Sequence, residues 1–220
     1  MANLCNNTMY IFAENSAGAA NLKKVYKIIK QGEELDNSVY RIASELRDDL
    51  TEAELDREIR QCGLNQECRG WLIDVEYNKA TEANKKEYIR VDYESKWSPC
   101  LALWHVALKP YGLKQVTLAE EPGCEVYVNT DEKGIFFPEK YVVDLCVEGL
   151  NKLGNPNVED DYYTEYYETK TQAVKDLSVF FGKKFKNFTE LEAYFEELKK
   201  IKEANGLDQW YINFIKYARS

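Results

Sequence analysis

The strongest constraint in this 220-residue chain is a stretch of strict alternation that runs without a spacer into a helix start. From Lys86 to Glu94, Ile89, Val91 and Tyr93 share one parity and Arg90, Asp92 and Glu94 the other, the period of a strand with one buried face. Ser98 and Pro99 follow almost at once. A serine hydroxyl accepts from an orphan N–H of the first helical turn, and a proline at the first helical position sacrifices no hydrogen bond. The segment Tyr93-Glu94-Ser95-Lys96-Trp97-Ser98-Pro99-Cys100 therefore predicts a strand spliced to a helix capped by Ser98.

Around this joint the other elements fall into order. Thr8 to Phe12 is apolar on both parities, as in a strand inside a sheet, and Asn15-Ser16-Ala17-Gly18 breaks it. Leu22, Val25, Tyr26, Ile28 and Ile29 then recur at helical spacing. Residues 36–62 continue helical as an insertion, with Thr51 and Glu54 spaced for a capping box. Arg69 to Tyr77 alternates, Trp71, Ile73, Val75 and Tyr77 on the expected buried parity, and forms a hairpin with 86–94 across a polar turn at 78–84. Leu101, Trp104, His105, Leu108 and Tyr111 make the second helical stripe, and 115–119 and 124–129 read as two strands about Glu120-Glu121-Pro122-Gly123. Strand, helix, strand, strand, helix, strand is the split βαβ order of a ferredoxin-like α+β fold.

The expected ferredoxin-like domain spans residues 1–148, with an added strand inside 135–147. A linker at 149–161 follows, carrying Gly154, Asn155, Pro156 and Asn157. Residues 162–220 read as mainly helical. In that tail the tyrosines from Tyr162 to Tyr167 fit either a strand or a helical turn, Thr189 and Glu192 fit a capping box, and Leu207 to Ile215 fits a last helix.

Six cysteines without a Cys-x-x-Cys pair, placed in predicted elements and not in loops, read as free buried thiols in a reducing cytoplasm. No basic segment followed by an apolar one opens the chain, and no apolar run approaches the ~20 residues of a membrane helix. With 29 basic and 38 acidic residues the net charge is −9, most of it before residue 149. Such a balance opposes phosphate backbones and favours a basic protein partner. Nothing in the cysteine or histidine spacing calls for a cofactor or metal.

Three segments together resemble the YubB ferredoxin-like family, uncharacterised proteins of bacterial plasmids, phages and other mobile elements. They are Ala2-Asn3-Leu4-Cys5-Asn6-Asn7, Tyr93-Glu94-Ser95-Lys96-Trp97-Ser98-Pro99 and Glu120-Glu121-Pro122-Gly123-Cys124-Glu125-Val126-Tyr127. The chain departs from the family in having Leu4 where members often carry Trp, and in its helical insertion. The resemblance implies a fold and a mobile-element context, and no catalytic residue.

Several residues are candidates for function. Asp74 and Glu76 on one hairpin strand and Asp92 and Glu94 on the other are expected to project from one face, where oxygen ligands could take a divalent cation or a basic peptide. Tyr88 beside them is too little aromatic surface for an RNA-recognition sheet. Trp97 is a candidate interface anchor, as is the Tyr162 to Tyr167 cluster. Cys100 near a helix start could be a reactive thiol, but His105 is five residues on and about 140° around the helix, so the two make no local dyad. His105 reads as a core-edge residue. The expectation is a non-catalytic protein-interaction module. A metal-dependent or small-molecule enzyme on the acidic face is the alternative, and nucleic-acid binding through Lys183, Lys184, Lys186, Lys199, Lys200 and Lys202 a third.

Overall fold

The computed structural model describes residues 4–62, 68–80, 86–150, 158 and 161–219. Ala2-Asn3, the hairpin turn at 81–85 and most of the expected linker, at 151–157 and 159–160, lie outside the described residues, as does the Cys124 side chain. The chain divides into two compact units, residues 1–132 with 219–220, and residues 133–218.

The first unit is α+β. Strands β1 (Leu4–Ala13), β2 (Gly70–Asn78), β3 (Tyr88–Lys96), β4 (Leu113–Glu121) and β5 (Val126–Asn129) form one antiparallel sheet in the order β2-β3-β1-β4-β5. Helices α1 (Ser16–Leu35) and α4 (Leu101–Leu108) close one face, burying Met9, Ile11, Val91 and Tyr93 against Leu22, Val25, Leu103 and Trp104. Helix α1 starts earlier than its apolar stripe because Asn15 caps it, its side chain accepting from the Gly18 N–H. The insertion is α2 (Val39–Leu46) and α3 (Glu52–Gln61), the latter opened by the Thr51–Glu54 capping box. Both insertion helices pack on α4. With the sheet on one side and the insertion on the other, α4 is buried almost all round, which suits its sequence Leu-Ala-Leu-Trp-His-Val-Ala-Leu.

The joint differs from its sequence reading. Cys100, not Ser98, is the N-cap of α4 and makes no side-chain cap bond, and Pro99 lies outside the helix. Ser98 serves the turn through its backbone: the Asn7 Nδ2 donates to Ser95 Oγ (2.9 Å), and Ser95 Oγ donates to the Ser98 carbonyl (2.7 Å). Cys100 is also not a free thiol. It is bonded to Cys68, with the Cα atoms 5.1 Å apart, which ties the entry of β2 to the start of α4. A separation of 32 residues carries no local spacing signal, so this pairing was invisible in the sequence. It removes the all-thiol premise on which a reducing cytoplasm was expected.

The tail is less helical than its spacing suggests. Strands β6 (Tyr141–Cys146), β7 (Tyr162–Tyr167) and β8 (Tyr211–Lys216) form an antiparallel sheet in the order β7-β6-β8. Helices α5 (Lys170–Phe180) and α6 (Phe188–Asn205) share a core with it that includes Val143, Leu145, Leu177, Phe181, Leu191 and Trp210. The strand expected as an addition to the first sheet is thus the centre of the second, and 149–161 joins two strands of one sheet. The expected last helix is β8: Gly206, at φ +62°, ends α6, and Ile212 is then buried while its neighbours Tyr211 and Asn213 are exposed. Asn187 caps α6 by accepting from Glu190 N–H, so Thr189 falls inside the first turn. Among the described residues, no helix is long and apolar enough to cross a membrane.

Candidate interaction face

The face of the first sheet opposite α1 and α4 is set by strand register. Asp74 lies opposite Asp92, Glu76 opposite Arg90, Trp71 opposite Glu94, and Asn78 opposite Tyr88. On its other side β3 places Asp92 against Thr8 and Tyr88 against Phe12. The four carboxylates do share a face, but they are not a single cluster. Asp92 is held by Arg90 (3.0 Å) and accepts from Thr8 Oγ1 (2.7 Å), while Lys96 reaches back over the Trp71 ring at 5.6 Å. Among the described residues no three His, Cys, Asp or Glu side chains are grouped to hold a metal ion. Tyr88 stacks edge-on to Tyr10, at 5.2 Å between ring centroids.

The parity expected for β2 fails at its first half. Trp71 and Ile73, assigned to the core, are exposed, whereas Leu72 and Val75 are buried. The register shifts between Leu72 and Asp74, and a bulge there lets Leu72 and Val75, three residues apart, point inward together. Ile73 is the extra residue. Strict alternation in the sequence gave no sign of it.

The bulge leaves Trp71 (39% exposed) and Ile73 (57%) outside the core, and toward the same end of the hairpin Leu4 (42%) and Trp97 (53%) are also exposed. Leu4 lies opposite Lys96, whose ammonium covers Trp71, and Trp97 is the next residue after Lys96. Trp97 has φ +64°, a left-handed conformation that costs a residue with a Cβ energy. The turn is imposed from both sides. Ser98 N–H donates to Lys96 carbonyl (2.8 Å), Ser95 is locked by Asn7, and the disulfide anchors Cys100 three residues on. Of these residues only Trp97 was singled out as an anchor from the sequence. Exposed large apolar groups on a fixed, strained turn are a feature of interaction sites more than of cores.

Other candidates fall elsewhere. Burial pushes the Cys5 thiol up to about 12, so it is unsuited to nucleophilic work. His105 is exposed, contrary to its core-edge reading. In the second unit Tyr163 and Tyr167 pack on the core while Tyr162 and Tyr166 are exposed, as a strand's alternation requires. The tail lysines are partly engaged locally: Lys183 lies 4.0 Å from the Tyr194 ring centroid, Lys186 faces Glu190 and Lys199 faces Glu196.

No family model, curated protein or solved structure matches the chain.

Proposed function

We propose that this protein is a non-catalytic interaction module that docks a basic protein segment on the Leu4, Trp71, Ile73 and Trp97 patch. The observation that carries the reading is Trp97, half exposed on a left-handed turn that the surrounding bonds hold in place. Tryptophans are favoured hot-spot anchors, and this one keeps about half of its surface exposed on a strained backbone. Asp74, Glu76 and Glu94 border the patch, so a partner carrying Lys or Arg beside an apolar anchor complements it. Strand β2 is the outer strand of the sheet, and its edge beside these side chains is already closed by residues 37–38: Leu72 N–H donates to Asn37 carbonyl and Ser38 bridges Trp71, so the reading rests on the side chains and not on edge pairing.

The finer fold assignment belongs to the same proposal. The order β2-β3-β1-β4, antiparallel throughout, supports a ferredoxin-like reading with β5 added beyond β4. Placement in the YubB family, with its mobile-element context, rests on the three sequence segments described above. The disposition of the carboxylates gives the alternative of a metal-dependent enzyme no support.

The test is comparative affinity capture with the intact chain, its Trp71→Ala variant and the double variant Asp74→Lys, Glu76→Lys. The expected result is a basic protein retained by the wild type, reduced by about tenfold with either variant. Equal recovery on all three would overturn the reading.

A further inference from the structure

Strand β7 lies at one end of the second sheet, and among the described residues its only strand partner is β6. Which of its backbone groups face outward follows from the hydrogen-bond phase. Val147 N–H donates to the Asp161 carbonyl (2.8 Å) in the same register that sets Cys146 opposite Tyr162. Residues 161, 163 and 165 therefore exchange bonds with β6, and the even-numbered residues of β7 turn their N–H and C=O outward. The β8 side gives the same phase. Tyr217 N–H donates to the Lys140 carbonyl (3.1 Å), which assigns the even-numbered residues of β6 to β8 and the odd-numbered ones to β7. Thr164 Oγ1 donates to Asp144 Oδ1 (2.8 Å), as the closer side chains of a pair without mutual backbone bonds can. The N–H and C=O of Thr164 thus point out of the edge of the sheet.

Sheet edges are blunted by shortness, lysine, proline, a bulge or a covering segment. Three of the edges here carry such a device: residues 37–38 close β2, β5 has four residues, and β8 ends on Lys216. Strand β7, Tyr-Tyr-Thr-Glu-Tyr-Tyr, has six residues, no lysine or proline and an unbroken register with β6. Tyr162 (63% exposed), Thr164, Glu165 and Tyr166 (45%) are all exposed. The strand is also complementary to itself. A second antiparallel copy must bond through the outward-facing even positions, and two registers keep most of the strand paired, one centred on Glu165 and one on Thr164. Centred on Glu165, two carboxylates stand directly opposite each other, which is unfavourable. Centred on Thr164, Glu165 lies opposite Tyr163, the two threonines meet on the two-fold axis, and Tyr162 lies opposite Tyr166. Aromatic and threonine pairs of this kind stabilise neighbouring strands.

We infer that two copies of this chain pair antiparallel through β7, centred on Thr164, and join their second sheets into one continuous sheet. The test is sedimentation velocity of the full chain over about 1–200 µM, beside two variants. Thr164→Pro removes an N–H that β6 does not use, so it spares the ladder to β6 and deletes bonds at the two-fold axis. Thr164→Lys sets like charges opposite each other at the same point, and it remains informative if the proline variant does not fold. The expected result is a wild-type monomer–dimer equilibrium with Kd below about 100 µM, weakened about tenfold or more by each variant. The far-UV circular dichroism of the variants should stay that of the wild type. A wild type that is monomeric throughout overturns the inference, whichever other chain the edge accepts. A dimer that keeps its affinity in either folded variant overturns it as well, because the copies then meet elsewhere.

Discussion

Arg47 gathers several polar interactions between the insertion and α4. It is buried, it pairs with Asp49 (2.9 Å) and Glu58 (2.9 Å), and its Nη1 donates to the Val106 carbonyl of α4 (3.2 Å). The guanidinium holds both carboxyls below the usual carboxylate range. A depressed folded pKa contributes stability above the ordinary carboxylate pKa, and that stability is lost as pH falls through the lower folded values. Arg47→Met is expected to lower unfolding free energy by about 1–3 kcal/mol at neutral pH and to flatten the acid limb. Urea unfolding at a series of pH values checks this; an unchanged acid limb would contradict it. Trp97 makes the opposite kind of prediction. Glycine adopts φ near +64° without the Cβ penalty, so Trp97→Gly should unfold at the same free energy or up to about 1 kcal/mol higher. A structural tryptophan would instead lose stability when removed.

Among the elements, the hairpin and α4 depend on the bond between Cys68 and Cys100. Closing a loop of 32 residues stabilises the fold by about 3–4 kcal/mol in the chain-entropy account. Cys68→Ser with Cys100→Ser should cost about that much in denaturant unfolding, and the reduced wild type should match the variant. Elements whose signal is local were legible in the sequence. The β3 alternation, the Thr51–Glu54 capping box and the α1 stripe all form as read. Signals that depend on a partner strand or distant cysteine were not. The bulge at Ile73 exists only relative to β3, and without it Trp71 and Ile73 belong to the core. Leu207 to Ile215 has apolar spacings that suit a helix, yet pairing with β6 makes it a strand. The acidic residues of the candidate face were found from parity alone, but its apolar half was lost with the bulge.

For the molecule as a whole, the acidic excess and the patch point to the same kind of partner. In the proposed function, charge would steer a basic protein to the first unit and the exposed tryptophans would supply the anchors once it arrives. The account stands on Trp97 being displayed for a partner and not packed for stability. The most direct measurement is the affinity of the captured basic protein for Trp97→Gly, by titration calorimetry beside the wild type. A loss of about tenfold or more, with unfolding free energy undiminished, is the predicted result. Wild-type affinity in a variant that has lost stability would contradict it.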